Sequence, residues 1–189
     1  MAGDSDLEPL ALRAMAHPLR IKLLGMVGLC GTLTASEAAR ELDSTAAVTA
    51  YHLRTLAKYG FVEDAGSDSG RERPWRMTER GRSMSWTDDD PAGRAMTQVA
   101  YQEWFEHIRR YAELRDQYPE DVREASTASE SVLMATPEEI KELNAKIAEL
   151  LKPFHLRSDP ALRPPGIVPM EIVTFIHPVM PPGYRTPEH

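Results

Sequence analysis

Side chains that can hydrogen-bond to phosphates and nucleobase edges are concentrated between residues 44 and 73. The set combines hydroxyls, small residues, one tyrosine and three arginines: Ser44, Thr45, Ala47, Ala50, Tyr51, Arg54, Arg71 and Arg73. A guanidinium bridges two phosphate oxygens or reads a guanine edge, and an alanine leaves room for a duplex and can touch a thymine methyl. If the fold presents them on one side, these residues predict a surface that binds double-stranded DNA.

Two helices joined by a tight turn would present most of this set. Thr34-Ala-Ser-Glu37 has capping-box spacing, which predicts that a first helix begins at Thr34. Residues 43–45 break the helical period and supply fresh N-cap oxygens, which predicts a second helix over residues 44–59, ending before Gly60. The apolar stripe of this second helix is predicted to face the core: Ala46, Thr49, Leu53 and Leu56.

A β-hairpin is predicted directly after the second helix. Residues 61–65 have the pattern of a strand, residues 66–70 that of a flexible tip, and residues 71–78 that of a returning strand with Arg71 and Arg73. Two helices, a tight turn and a basic hairpin in this order predict a mainly α fold with a β-hairpin wing, a winged helix-turn-helix. In such a fold the second helix enters the major groove, and the arginines of the hairpin suit flanking phosphates or the minor groove.

The net charge of −7 is compatible with DNA binding once it is divided along the chain. Residues 10–87 hold 11 Lys/Arg against 8 Asp/Glu, a balance of +3, and residues 88–189 hold 11 against 18, a balance of −7. Three acids before residue 10 account for the remaining −3. DNA binding would therefore use a local basic patch and depend strongly on salt.

The composition also narrows the compartment and the class of function. The chain has no apolar run of about 18 residues and no basic start, so neither a membrane span nor a secretory signal is predicted. One cysteine, Cys30, excludes an intramolecular disulfide and fits the reducing cytoplasm. The sequence has no G-x-S-x-G, Walker or H-E-x-x-H motif, which argues against an enzyme, and no cofactor is expected.

The second half of the chain is predicted to mediate self-association. An acidic Pro/Gly joint near residue 90 separates a DNA-binding domain, residues 1–87, from a C-terminal region, residues 94–189. A long helix in that region carries a stripe of large apolar residues: Tyr101, Trp104, Phe105, Ile108 and Tyr111. A small winged helix cannot cover such a stripe, so it is predicted to form an isologous homodimer interface. The alternative is that the stripe folds back on its own C-terminal segment.

A small α/β appendage is predicted beyond this helix. Residues 137–152 have the apolar spacing of a helix, and residues 131–135 and 168–177 have the pattern of two buried strands that pair. The region is also rich in aromatic residues and methionines: Trp104, Phe105, Tyr111, Met134, Phe154, Met170 and Phe175. These side chains would either line a pocket for a small apolar effector or form ordinary core, and the sequence leaves both readings open.

Three segments carry a resemblance to a known family. AHPLRIKLL (residues 16–24), AYHLRTLAKYGFV (residues 50–62) and GRERPWR (residues 70–76) resemble the ArsR/SmtB-type winged helix-turn-helix regulators, in a longer branch with a C-terminal extension. The resemblance covers about the first 80 residues. It implies a homodimeric bacterial regulator, more often a repressor than an activator, that reads a palindrome.

The same resemblance bears on metal binding. Thr34 and Ser36 stand where metal-sensing members of the family have cysteines, and hydroxyls lack the softness of thiolates, so no metal site is predicted. Cys30 is instead expected to be a small buried hydrophobe. Glu103 and His107 are spaced i, i+4 and would need a symmetry mate to complete a metal site. An alternative to DNA binding is a winged helix that presents the same surface to a protein partner.

Overall fold

The computed structural model describes residues 9–66, 72–82, 84 and 86–179 of the chain. Eight α-helices follow one another in this part: α1 (Pro9–Met15), α2 (Pro18–Cys30), α3 (Ala35–Glu41), α4 (Ala46–Lys58), α5 (Glu79–Arg82), α6 (Pro91–Leu114), α7 (Glu120–Ala125) and α8 (Pro137–His155). Three short strands complete the regular structure: β1 (Thr32–Thr34), β2 (Val62–Asp64) and β3 (Pro74–Met77). The predicted winged helix-turn-helix is confirmed.

Local capping determines where the helices of the N-terminal half begin. The imidazole Nδ1 of His17 accepts a hydrogen bond from the amide of Leu19, so this histidine is the N-cap of α2. The predicted capping box of α3 is present, because Thr34 and Glu37 exchange hydrogen bonds through side chain and backbone. Thr45 caps α4 by accepting from the amide of Val48, which places the start of α4 slightly later than predicted.

The wing is part of a three-stranded antiparallel sheet. The strand order is β1-β3-β2, with Leu33 opposite Trp75 and Val62 opposite Met77. The sequence did not predict β1, because a three-residue strand between a glycine and a helix N-cap has no periodicity to detect. By pairing with β1, the returning strand of the wing is joined to the segment that leads into α3.

One hydrophobic core holds the N-terminal half together and extends to the first turns of α6. Its buried apolar members lie between Ala11 and Ala100, with Phe61, Met15 and Leu23 among the largest fully buried side chains. Helix α1 packs on α6, and α2 packs on α4 and β3. The residues of α6 in this core recur at helical spacing: Ala92, Met96 and Ala100. The start of α6 is therefore part of the N-terminal half.

The C-terminal region differs from its prediction. Residues 131–135 and 168–177 form no strand, and Met134 is 98% exposed. A strand is stable only with a paired neighbour and a covered face, and neither segment has these here. The predicted helix over residues 137–152 is confirmed as α8, but its apolar residues do not face a core, since no residue from 104 to 179 is buried.

A short segment after α8 attaches this region to the back of the winged helix. The Arg163 guanidinium donates to the carbonyl of Gly28 near the end of α2, at 3.2 Å, and to the carbonyl of Arg157, at 2.9 Å. The Pro160 ring lies directly over Gly31, whose φ is +81°. Gly31 therefore permits both the turn from α2 into β1 and the close approach of Pro160.

We expect Gly31→Ala to lower the free energy of unfolding by about 1–3 kcal/mol, because an L-residue is strained at this positive φ and a Cβ would overlap the Pro160 ring. Denaturant unfolding monitored by circular dichroism would measure the change.

Gly25→Ala is the matched control in the same helix. A Cβ at Gly25 meets nothing within 4 Å. In an exposed helix position Ala is better than Gly by about 0.5–1 kcal/mol, so this variant is expected to be more stable than the natural chain. Equal stability of the two variants would contradict the role assigned to Gly31.

Candidate nucleic-acid interface

Helix α4 has one side in the core and one side in solvent. Thr49, Leu53 and Leu56 are fully buried, as the sequence predicted. Ala46 was predicted to be buried with them but is exposed, because α4 begins at this residue, beyond the contact with α3. On the opposite side Ala47, Arg54 and the 59%-exposed ring of Tyr51 face solvent.

The contact between α3 and α4 determines which side of α4 faces outward. The buried Thr49 hydroxyl lies 2.7 Å from the carbonyl of Ala35 and donates to it across the two helices. Ala38 and Ala39 on α3 are buried and small, which lets the helices approach closely. The backbone of Ser44 donates to the carbonyl of Ala39 and closes the turn.

The arginines of the wing are held by acids across the hairpin. Arg73 Nε lies 2.7 Å from Asp64 Oδ2, and Arg76 Nε lies 2.8 Å from Glu63 Oε1. The Arg73 guanidinium also lies over the Trp75 ring at 5.6 Å. An arginine has further N–H donors beyond Nε, so Arg73 is oriented and can still donate to a phosphate. Arg71 lies outside the described residues.

A groove of about 330 Å³ separates α4 from the wing. Its lining combines three alanines with polar and aromatic side chains: Ala35, Ser36, Ala46, Ala50, Arg54, Glu72, Arg73 and Trp75. Arg54 borders the groove from the helix and Arg73 from the wing. The structure thus brings Ala50, Arg54 and Arg73 together, three of the residues that the sequence selected.

Sequence reasoning did not select five residues of this groove, and two of them form a hydrogen bond. The Ser36 hydroxyl donates to Glu72 Oε1 at 2.9 Å, which ties the first turn of α3 to the wing just before β3. The two residues are 36 positions apart, and neither stands out by type or spacing. Only the sheet register brings them into contact, so no local signal could have found the pair.

A pair of histidines lies beneath the exposed side of α4. The rings of His17 and His52 are 4.6 Å apart, and the Tyr51 ring meets His52 edge-on at 5.2 Å. His52 is 8% exposed, so it is a packing residue. Within the described residues, its buried Nδ1 has no hydrogen-bond partner.

Both imidazoles are held in the neutral form. Burial lowers the pKa of His17, and the nearby Arg20 guanidinium lowers it further. Burial is also the main reason that the pKa of His52 is lowered, with the charges of His17 and Arg20 acting in the same direction. Protonation would therefore place unfavourable positive charge between α2 and the helix that carries Tyr51 and Arg54.

The aromatic stripe of α6 is partly covered by the chain's own tail. The Phe175 ring lies 4.9 Å from that of Tyr101 and 5.1 Å from that of Trp104, and Trp104 also stacks on Trp86. For Tyr101 and Trp104 the structure therefore shows the alternative prediction, in which the stripe packs against its own C-terminal segment. Phe175 does not cover the other three members of the stripe in this way. Phe105 and Ile108 are 62% and 51% exposed, and Tyr111 is half-buried.

The structure corrects the expectation that Cys30 is buried, and it separates Glu103 from His107. Cys30 was expected to be buried but is exposed, because α2 ends at this residue and the chain turns inward only at the buried Gly31. Glu103 is buried 3.6 Å from Lys22 Nζ, whereas His107 Nδ1 lies 3.0 Å from Glu171 Oε1. Glu103 and His107 therefore belong to different environments, and the described residues contain no group of three or more potential metal ligands.

Comparison with known proteins agrees with the geometry of the N-terminal half. A family model described as a helix-turn-helix domain matches residues 15–65. No curated protein matches the chain. Within residues 9–66, 72–82, 84 and 86–179, no helix is long and apolar enough to cross a membrane.

Two solved structures are similar to the chain at a low level. A mutant of Lactococcus lactis ZitR in its apo form is 15% identical over 72% of this chain and 81% of its own, with a TM-score of 0.33. A mutant MarR from E. coli is 15% identical over 75% of this chain and 85% of its own, with a TM-score of 0.34. TM-scores this low carry no inference about operator, ligand or assembly. The helix-turn-helix match at residues 15–65 and the observed wing together define the class of the fold: the chain contains a winged helix-turn-helix.

We expect the stability of the folded chain to fall as the pH is lowered from about 7.5 to about 5.5. Because the pKa values of His17 and His52 are lowered by folding, the unfolded chain binds more protons below the ordinary histidine pKa of about 6.5. The stabilisation is fully present above that pH and is lost as the pH falls toward the folded pKa values. Urea unfolding at a series of pH values would measure the slope.

The double variant His17→Asn, His52→Phe should flatten this slope, since asparagine keeps an N-cap acceptor and phenylalanine keeps a ring in the packing. His107→Gln is the control, because His107 is half-exposed on α6 and away from the pair. If the double variant keeps the slope of the natural chain, the two histidines are not its source.

Proposed function

We propose that the chain is a sequence-specific regulator of transcription that binds double-stranded DNA as a homodimer on an inverted repeat. The observation that carries the proposal is the groove between α4 and the wing, with alanines on its floor and an arginine on each side. Alanines allow α4 to enter a major groove, and the two guanidinium groups can reach bases and phosphates. The helix-turn-helix match at residues 15–65 supports the same reading.

Each residue of the proposed interface has a distinct role. Thr45 and Ser44 lie at the N-terminal end of α4, where hydroxyls and amides contact phosphates or bases. Ala47, Ala50 and Tyr51 face base edges, and Arg54 contacts a base or a phosphate. Arg73, together with Arg71, binds the phosphates that flank the site or enters the minor groove.

The dimer would set the geometry of the operator. Two copies of α4 related by a twofold axis read half-sites about 10 bp apart, or a multiple of that distance. The exposed members of the α6 stripe, Phe105 and Ile108, supply apolar surface for the contact between subunits. Repression follows when such a dimer occupies DNA that the transcription machinery needs, and family resemblance favours this sign of control.

The structure brings together only some of the side chains that were predicted to line a pocket for a small apolar effector. Of the seven side chains selected from the sequence, ring contact joins Trp104 and Phe175, whereas Met134, Phe154 and Met170 are exposed. An effector would therefore have to bind beside the contact of Trp104 with Phe175. The DNA interface described above does not require a bound effector.

A second candidate function is an interaction module that presents α4 to a protein partner. The observation in its favour is that Val48 and Tyr51 expose apolar surface on the same helix. Selection from a random duplex library with the purified protein separates the two functions. Enrichment of an inverted repeat supports the regulator, and no enrichment by a folded, dimeric protein supports the interaction module.

We expect Arg54→Ala to weaken binding to the selected sequence by about 10- to 100-fold, since a good base contact contributes about 1–3 kcal/mol. If Arg54 reads guanine, preference at one position of each half-site is also lost. Fluorescence anisotropy with the selected duplex and with single-base variants would measure both effects. Unchanged affinity would remove Arg54 from the interface.

We expect Arg73→Ala to weaken binding to all sequences alike and to reduce the slope of log affinity against log salt by about 1 per subunit, because a phosphate contact is lost. Arg109→Ala is the matched control: this exposed arginine of α6 pairs with Glu106 and Glu113. A loss of affinity for one sequence only would contradict a phosphate contact by Arg73.

A further inference from the structure

Helix α8 is an amphipathic helix without a core to pack on. It has a complete capping box at Thr136 and Glu139 and runs for 19 residues, about 28 Å at 1.5 Å per residue. None of its residues is buried: Ile140, Leu143 and Ile147 are half-buried, and Leu150 and Phe154 are 72% and 57% exposed. Burial of an apolar face usually supplies most of the stability of a helix in a protein, so an uncovered face implies a missing partner.

The apolar residues of α8 follow a heptad pattern. Ile140, Leu143, Ile147, Leu150 and Phe154 are separated by steps of three, four, three and four residues. In heptad terms, isoleucines occupy the first two a positions and leucines the two d positions. When helices pack in parallel, a β-branched residue at a with leucine at d favours two strands over three or four.

The C-terminal end of α8 is attached to the DNA-binding half. The turn that follows the helix leads to Pro160, which lies on Gly31, and to Arg163, which donates to the carbonyl of Gly28. These contacts hold one end of α8 at the end of α2. The apolar face of α8 is therefore displayed from a defined point on the protein.

The exposed apolar area of α6 is smaller than the area that a stable dimer interface buries on each partner. An aromatic side chain presents about 150–250 Å² in all, so the exposed parts of Tyr101, Phe105 and Ile108 amount to about 300 Å². A standard interface buries about 800 Å² on each partner. Phe175 already covers part of the α6 stripe, and α8 offers a further apolar helix face with no buried residue.

We propose that α8 packs in parallel against α8 of a second copy of the chain and forms the second half of the dimer interface. The proposal rests on the homodimer proposed above and adds a contact to it. Two heptads are too few to hold a pair of helices on their own, but a dimer already joined through α6 keeps the two α8 helices at high effective concentration. The α8 pair would then connect the ends of the two α2 helices across the twofold axis.

Sedimentation equilibrium of the full-length chain tests the proposal. We expect the natural chain to be a dimer and the double variant Leu143→Asp, Leu150→Asp to dissociate at least about 100-fold more readily, because burial of each leucine contributes more than tenfold. Ala145→Asp is the matched control, since it adds the same charge to the same helix on the side opposite the heptad stripe. At a protein concentration low enough for all three proteins to be monomeric, the winged helix should unfold at the same temperature in each, because α8 contributes no buried residue.

The outcomes distinguish the two proposals. A natural chain that is monomeric at all concentrations would overturn the homodimer and, with it, the α8 contact. A natural dimer whose dissociation is unaffected by the two aspartates would overturn the α8 contact alone. In that case Phe105→Asp should still dissociate the dimer, which leaves the α6 interface in place.

Disulfide cross-linking identifies the partner of α8. In a Cys30→Ser background, Leu143→Cys and Leu150→Cys should each give covalent dimers on mild oxidation, because equivalent d positions face one another in a parallel pair. Ala145→Cys should remain monomeric on a denaturing gel. If neither d-position variant cross-links, α8 does not pair with its copy in parallel and the proposal is wrong.

Discussion

The close packing of α3 on α4 is the contact on which the rest of the DNA-binding half depends. Two alanines of α3 let the helices approach, and the buried Thr49 hydroxyl donates to the carbonyl of Ala35 between them. A larger side chain at Ala38 or Ala39 would separate the helices, and a side chain without a donor at Thr49 would lose this hydrogen bond. Once the contact forms, the side of α4 with Tyr51 and Arg54 has to face solvent. The groove beside the wing follows from that orientation.

Charge on the proposed DNA surface is balanced locally. Arg73 and Arg76 each pair with an acid of β2, and Glu72 adds a negative charge to the wing just before β3. Beneath the surface, the two histidines add no charge at neutral pH, because burial and Arg20 lower the pKa of His52 and that of His17. The positive patch is therefore small, and the acidic C-terminal half does not extend it. An interface of this kind relies on a few arginine contacts with phosphates and bases and not on a large basic surface.

The two halves of the chain have different sources of stability. The winged helix and the start of α6 share a closed core, and α6 leaves that core after Glu103, which is buried beside Lys22. Beyond this point α8 has a complete capping box, but the described chain has no buried side chain. Contacts such as Phe175 on Trp104 and Pro160 on Gly31 attach this region to the rest at separate points. A structure of this kind is suited to assembly, because the apolar area that a single chain leaves uncovered is available to a second one.

The sequence by itself determined the elements whose signals are local. The capping box at Thr34, the N-cap at Thr45, the buried stripe of α4 and the helix after Thr136 could all be read from spacing, because caps and helical periodicity involve residues within a few positions of each other. For the same reason Tyr51 and Arg54 could be assigned to the outer side of α4.

Only the tertiary structure decided the features that depend on distant residues. Three contacts join segments that are far apart in the chain: the pairing of β1 with β3, the hydrogen bond between Ser36 and Glu72, and the contact between the His17 and His52 rings. Residues 168–177 illustrate the opposite case: their apolar pattern has the composition of a strand, but a strand also requires a neighbour with free backbone hydrogen-bonding groups. Whether such a neighbour exists is a property of the whole fold, and it leaves no trace in the segment itself.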